Sequence, residues 1–409
     1  MIRLIYFFFA FLTAANLAAQ SIAEKQLAFF SFDECNIKDD SGNGSQGLVV
    51  GDPDCVCGIG DMAFSLDGNN DSMIFVGPLN DAFTTSDFTV IFYINPRVIQ
   101  NQGGSQIIMS HQNACTPDRA FWVRYAPGSR KLTAAISQTA DLSVTVTGDL
   151  DKDRCWQYIA IVRSNTRFSL YINGELKDTK TTTSRLDISD NVPLRIASAI
   201  CPLDQPFRGL FDELRIFNRA LSREDILSLD AKPDRILTGD TLIYKGFSFR
   251  PRVSSPCANQ FGWTPANGTI DDPGLREPLI SPVLPTVYRI QINDATINCI
   301  ARDSVVVNVI DPDTLDCSRI FIPNAFTPGV SPGRNDLFGI SNPFAVNEFI
   351  SFQIYDRWGG LVFEAADRFD LWDGSFQGRA VNPGIYLFRL VHRCRGEEKT
   401  QTGALTVLR

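Results

Sequence analysis

Between residues 27 and 217 the chain is written in short apolar runs, each closed by a cluster of Gly, Asn, Asp or Pro. That punctuation leaves little room for helices and admits many strands joined by tight turns. In Phe88-Thr89-Val90-Ile91-Phe92-Tyr93-Ile94 both alternating faces are apolar, as expected of a strand buried between two sheets. The run Phe168-Ser169-Leu170-Tyr171-Ile172 leads into Asn173-Gly174, a pair that tolerates the positive φ of a two-residue hairpin turn. A final run from Gly209 to Phe217 precedes Ser222-Arg223-Glu224-Asp225. Ser222 and Asp225 can cap reciprocally, so a short helix is expected to close this region. The fold class implied is all-β, beginning with a two-sheet sandwich.

A chain of 409 residues, 44% of them hydrophobic, is too long for one ordinary core. Lys232-Pro233 marks one boundary and Asp311-Pro312-Asp313 another. Three folded regions are therefore expected, at residues 20–230, 233–312 and 316–409. The middle one carries strand-like runs at 288–292 and 304–309, two cysteines and Trp263, which suits an immunoglobulin-like spacer. The last ends in the strand-like run 404–409.

The first twenty residues, MIRLIYFFFAFLTAANLAAQ, set Arg3 before an apolar stretch and end near Ala18-Ala19, the organisation of a cleaved signal peptide over 1–19. The stretch falls short of the roughly 20 residues a bilayer requires. No other segment could span a membrane, so none is expected to remain after cleavage. Export makes disulfides the leading role for the ten cysteines, Cys35, Cys55, Cys57, Cys115, Cys155, Cys201, Cys257, Cys299, Cys317 and Cys394. Given the boundaries above, Cys257 pairs with Cys299 and Cys317 with Cys394, and about fifteen connectivities remain open for the first six. A zinc site at Cys55-Val56-Cys57 is disfavoured by its short spacing and by His111 being the only histidine of that region. With a net charge of −8 and no long Lys/Arg run, the chain lacks the basic footprint of a nucleic-acid binder.

Residues 20–230 resemble the laminin-G-like/concanavalin-A-like jelly-roll family. The resemblance rests on Phe32-Asp33, the loop at 40–44, Ala63-Phe64-Ser65-Leu66-Asp67-Gly68, Asp87-Phe88-Thr89-Val90, Trp156-Gln157-Tyr158-Ile159-Ala160, Leu170-Tyr171-Ile172-Asn173-Gly174 and the closing run from Phe211 to Leu221. It implies two curved antiparallel sheets, binding of glycans or proteins, and often one calcium where the first and last strands meet. Residues 316–409 resemble the gliding-motility-associated C-terminal domain, through Phe321-Ile322-Pro323-Asn324-Ala325-Phe326-Thr327-Pro328, Asn335-Asp336-Leu337-Phe338, the run 354–363, Trp372-Asp373-Gly374 and Pro383-Gly384-Ile385-Tyr386. That resemblance implies sorting by the type IX secretion machinery and attachment at the cell surface. It departs from the family after Pro328, where residues 329–334 lack the usual Asn-Gly-Asp-Gly. Trp358 and Trp372 are expected in the core of this region, with Arg357 and Asp373 at its surface. The middle region resembles immunoglobulin-like or PKD-like repeats through Phe261-Gly262-Trp263-Thr264-Pro265 and Thr286-Val287-Tyr288.

The same jelly-roll shape also hosts glycoside hydrolases, which need two carboxylates about 5 Å apart for the retaining reaction. The Glu-x-Asp-x-x-Glu pattern of one such family is absent, and alternation lets only one of Asp212 and Glu213 face a cleft. No Gly-x-Ser-x-Gly elbow is present, and His111 and His392 are the only histidines. His111 is read as solvent-facing or hydrogen-bonded. No catalytic residue is assigned, and the chain is read as a non-enzyme. Structural calcium is the one cofactor considered, held by Asp33 and Asp212 with carbonyls of the 39–47 loop; the competing reading is that these two carboxylates only cap turns and pair with nearby Arg. Trp122, Tyr125 and Trp156 are the aromatics that could stack on sugar rings, although Trp156 lies in an apolar strand. The expectation is an exported cell-surface binding or adhesion protein, its partner a polysaccharide or a surface protein. A secreted glycoside hydrolase and a purely structural adhesin are the alternatives.

Overall fold

The computed structural model of the chain describes residues 24–97, 104–329 and 335–408. The signal-peptide expectation at 1–19 and nearly all of the 329–334 loop lie outside them. Two compact units emerge: Met1–Gly239 with Arg250–Ile280 and Val287–Val305, and Asp240–Phe249 with Ser281–Thr286 and Val306–Arg409.

The first unit is built on sixteen strands: β1 (Gln26–Phe30), β2 (Gln46–Val50), β3 (Asp54–Cys57), β4 (Met62–Asp67), β5 (Ser72–Val76), β6 (Phe88–Pro96), β7 (Ser105–His111), β8 (Ala120–Ala126), β9 (Lys131–Ser137), β10 (Ser143–Asp149), β11 (Gln157–Ser164), β12 (Arg167–Ile172), β13 (Glu175–Thr181), β14 (Leu194–Ile196), β15 (Asp204–Pro206) and β16 (Arg208–Phe217). One sheet runs β13-β12-β11-β6-β16-β4-β3 with β1 along β16; the other runs β10-β9-β8-β7-β14-β5-β2 with β15 along β7. This is the jelly-roll sandwich expected. Its core takes Phe92, Ile161 and Phe211 from one sheet and Phe75, Ile108 and Phe121 from the other. Phe92 and Phe211 stack with centroids 5.4 Å apart.

Strand β6 shows why a run can be apolar on both faces. Phe88, Val90, Phe92 and Ile94 enter the core. The opposite face is covered by the chain after β16, not by a second sheet. Thr89 Oγ1 donates to Arg219 O at 2.8 Å and Leu221 N donates back to it at 2.9 Å. Ala231 N donates to Tyr93 Oη at 2.7 Å, and Tyr158 Oη donates to Ile226 O at 2.9 Å. Helix α1 (Arg223–Ser228) lies in this cover, closed by the Ser222/Asp225 capping box. At the β12–β13 hairpin, Asn173 and Gly174 have φ of 55° and 76°, the positive values expected there.

Further pairs complete the first unit: β17 (Arg235–Ile236) with β19 (Val253–Ser254), and β20 (Gln260–Thr264) with β21 (Thr286–Asp294). Here the expected Cys257–Cys299 bridge is not formed. Cys257 pairs with Cys57 at the end of β3, and Cys299 pairs with Cys155 just before β11, while Cys35 joins Cys55 and Cys115 joins Cys201. The expectation assumed that each region closes its own thiols. The chain instead brings two later cysteines back onto the jelly roll, across separations of 200 and 144 residues.

In the second unit, β18 (Thr241–Tyr244) runs parallel to the end of β22 (Cys299–Ile310). Seven strands follow: β23 (Ala325–Phe326), β24 (Glu348–Tyr355), β25 (Leu361–Glu364), β26 (Ser375–Phe376), β27 (Arg379–Ala380), β28 (Gly384–Cys394) and β29 (Glu397–Val407). Five of them form a sheet in the order β23-β29-β28-β24-β25. Its core gathers Phe326, Phe338, Phe352, Trp372, Phe388 and Leu405. Cys317 pairs with Cys394 as expected. Trp372 is buried and donates from Nε1 to Ser375 O at 2.7 Å. Trp358, expected in the core, is 85% exposed: it sits in a turn where Asp356 Oδ1 accepts from the amides of Trp358 and Gly360.

Candidate ligand-binding face

Strand β8 alternates between the two sides of its sheet. Phe121, Val123 and Tyr125 enter the core, so Trp122 and Arg124 share the outer face. The register continues that face: Trp122 lies opposite Ser110 and Ala135, and Arg124 opposite Thr133. Thr133 and Ala135 in turn lie opposite Thr147 and Thr145 of β10. An indole and a guanidinium thus border a row of short hydroxyl and methyl side chains.

Trp122 is held in place. The Arg124 guanidinium carbon lies 3.9 Å from its ring centroid, within cation–π range. Nε and Nη2 of Arg124 donate to Asp204 Oδ2 at 3.0 and 2.9 Å, and Nη2 also approaches Cys201 Sγ at 3.5 Å. Because Cys201 is bridged to Cys115, a disulfide, a carboxylate, a guanidinium and the indole form one line of contacts. A ring fixed in this way loses little conformational entropy when it receives a flat apolar ligand face.

The other two aromatics are not available to a ligand in this way. Tyr125 places its ring in the core, and Trp156 is buried as its apolar strand suggested. Arg124 and Asp204 were missed in the sequence; the i, i+2 spacing of Trp122 and Arg124 was the signal that could have found the first. His111, read as solvent-facing or hydrogen-bonded, is fully buried, with its ring 4.7 Å from that of Phe83 and neither nitrogen hydrogen-bonded among the described residues. Burial pushes its pKa down to about 4.

The two residues assigned to calcium approach one turn from two sides. Asp33 Oδ1 accepts from Asp61 N at 2.8 Å, and Asp212 Oδ2 accepts from Ile59 N at 2.6 Å. Asp212 is fully buried, and burial holds its carboxyl well above the usual range, reinforced by the charges of Glu213 and Asp33. Glu213 is raised as well, chiefly by burial, although Arg215 donates to it at 2.7 Å. In the 39–47 loop, Asp39 accepts from the amides of Phe29, Ser41 and Ser45. Among the described residues no three His, Cys, Asp or Glu side chains converge as a metal ligand set. A cation here would rest on Asp33, Asp212 and peptide carbonyls.

The fold is that of an all-β protein, a jelly roll followed by a small C-terminal β unit. Residues 67–227 match the family model of the concanavalin A-like lectin/glucanases superfamily, and residues 320–407 match that of the CHU_C type IX secretion signal domain. The chain therefore carries a domain of each family and is a secreted, cell-surface protein sorted by type IX secretion. Among the described residues no helix is long and apolar enough to cross a membrane. No curated protein matches the chain. Of solved structures, domain 4 of AbnA, a GH43 extracellular arabinanase from Geobacillus stearothermophilus in complex with arabinotriose, aligns at 20% identity and a TM-score of 0.39 over 50% of this chain and 98% of that one. The binding domain of Paraclostridial Mosquitocidal Protein 1 aligns at 15% and 0.45 over 94% and 89%. That of botulinum neurotoxin serotype D/C aligns at 12% and 0.47 over 94% of each chain.

Proposed function

We propose that the jelly roll is a carbohydrate-binding module that works at the cell surface, receiving a sugar ring on Trp122 and hydrogen-bonding it to the Thr133, Thr145 and Thr147 row. The observation that carries this reading is the clamp of Arg124 and Asp204 on Trp122. Such a clamp costs the folded chain side-chain freedom, which a surface with no ligand would not require. The region at 233–312 serves as the spacer in the same reading. Binding is favoured over hydrolysis because the adjacent acids of β16 are already engaged: Asp212 is buried under the turn at 58–61, and Glu213 is tied to Arg215.

The test is a glycan array probed with the full mature chain and with Trp122→Ala. Binding of a defined set of glycans by the wild type, lost in the variant, supports the proposal. Silence of the wild type supports an adhesin with no sugar ligand, and release of reducing ends from a bound glycan supports the hydrolase alternative.

Structural calcium at Asp33 and Asp212 is part of the same proposal. Asp212 is buried with only backbone amides as partners, and a hard divalent cation suits an uncompensated carboxylate. Millimolar calcium is expected to raise the Tm of the wild type and to leave that of Asp33→Asn unchanged; an equal response in both would remove Asp33 from the site.

A further inference from the structure

A cavity in the first unit is lined by Arg97, Arg130, Lys152, Arg154 and Arg208 and by no carboxylate. It encloses about 330 Å³, within the roughly 300–1,000 Å³ typical of small-ligand sites. Five cations around one space stand out in a chain whose net charge is −8. Like charges brought together raise the local potential and hold anions.

Local carboxylates do not neutralise the group. Arg154 pairs with Asp151 at 3.4 Å, and Arg130 donates to the Asp151 carbonyl at 2.9 Å. Among the described residues the side chains of Arg97, Lys152 and Arg208 make neither a hydrogen bond nor an ion pair. Asp67, opposite Arg208 in the β4–β16 ladder, accepts from the amides of Asn69, Asn70 and Asp71.

The walls also hold buried donors without acceptors. Asn95 is 5% exposed, and its Nδ2 has no partner; the Nε atom of Arg130 is likewise buried without one. Buried N–H groups in this state carry a desolvation cost that an acceptor would relieve. Gly209 sets the approach of the two strands that bring Asn95 and Arg208 together: a Cβ there would come 2.4 Å from Asn95 O. The Cys155–Cys299 disulfide forms part of the lining and fixes the 297–299 segment against it.

We infer that this cavity binds the anionic group of an acidic polysaccharide, a uronate carboxylate or a sulfate ester, held by arginine forks and the Asn95 amide. Planar guanidinium donors match both oxyanions with paired hydrogen bonds. The carbohydrate part rests on the proposed function; the anion preference rests on the cavity alone. The site is lined by different residues from the Trp122 face, so the two fail separately.

Isothermal titration of the full mature chain with polygalacturonate, dextran sulfate and unmodified dextran tests the inference. At least one anionic polymer binds and neutral dextran does not compete with it. Arg97→Gln/Arg208→Gln weakens that binding about tenfold or more, in the wild-type and in the Trp122→Ala background alike. Lys152→Gln, an exposed residue, gives the same direction should the double variant fail to fold. No binding by either anionic polymer, or binding within about twofold of wild type in the folded variants, overturns the site. Single-stranded DNA that binds as well as the polysaccharides and with the same Arg97/Arg208 dependence overturns the sugar assignment.

Discussion

Arg124 stacks on the Trp122 ring at 3.9 Å while donating two hydrogen bonds to Asp204 Oδ2. The Asp204 side chain is only 6% exposed, so removing the guanidinium leaves a carboxylate with little access to water. Arg124→Ala is expected to cost about 2 kcal/mol and to free the indole. Arg124→Lys should recover only part of this, because an ammonium cannot lie flat on the ring and fork to Asp204 together. Urea denaturation with tryptophan fluorescence reads both effects; wild-type stability in Arg124→Ala would mean that the clamp does not hold the ring.

The bridges Cys57–Cys257 and Cys155–Cys299 close long loops, and cross-links of that kind remove the most freedom from the unfolded chain. Cys155→Ser/Cys299→Ser is expected to lose about 2–5 kcal/mol. Non-reducing peptide mapping of the wild type should recover these two linked pairs. A recovered Cys257–Cys299 peptide would contradict the connectivity.

Those bridges also show where sequence reading stops. Turn and cap residues are local signals, so the Asn173-Gly174 hairpin and the Ser222 cap were legible, whereas the alternation of β8, which sends Tyr125 into the core and leaves Trp122 outside, was not read. Thiol pairing depends on which distant segments meet, and counting cysteines by region cannot supply that. The double-sided apolarity of β6 was seen, but the cover over one face turned out to be the chain at 219–231, because a local pattern reports burial without naming the partner. The basic cavity draws its cations from the residue after β6, from β16 and from the segments around 130 and 152–154, so no run of charge announces it. Trp358 and Trp372 look alike in composition, and only the turn around Asp356 puts the first one outside.

His111 should make the fold acid-sensitive. Its pKa is lowered from 6.5 to about 4 by burial, so the folded state keeps a neutral imidazole where the unfolded chain takes up a proton. Above pH 6.5 both states are neutral and the full stability is present; it then falls as the pH drops from 6.5 toward 4, by about 3 kcal/mol in all. His111→Phe, stacked on Phe83 in the same space, should lose this slope. The difference between wild-type and variant stability across that window isolates His111 from the buried carboxyls, which titrate in both proteins. Parallel curves would show that the imidazole is charged or hydrated in the folded state.

Removing residues 316–409 tests the sorting role of the C-terminal region. The deletion takes both Cys317 and Cys394 with it and leaves the other four bridges with both partners, so no thiol is stranded to cause misfolding by itself. The truncated chain is expected to collect in the periplasm and to escape protease shaving of intact cells. Two point variants separate recognition of a folded region from its mere length. Trp372→Ala empties a buried site and breaks the bond to Ser375 O, at a cost of about 3–5 kcal/mol, and should be retained like the truncation. Trp358 is solvent-exposed, so Trp358→Ala should leave the fold within about 0.5 kcal/mol of wild type, and any export defect it shows would then report a contact made by the indole itself. Normal surface display of the truncated chain would mean that export is directed from elsewhere in the sequence.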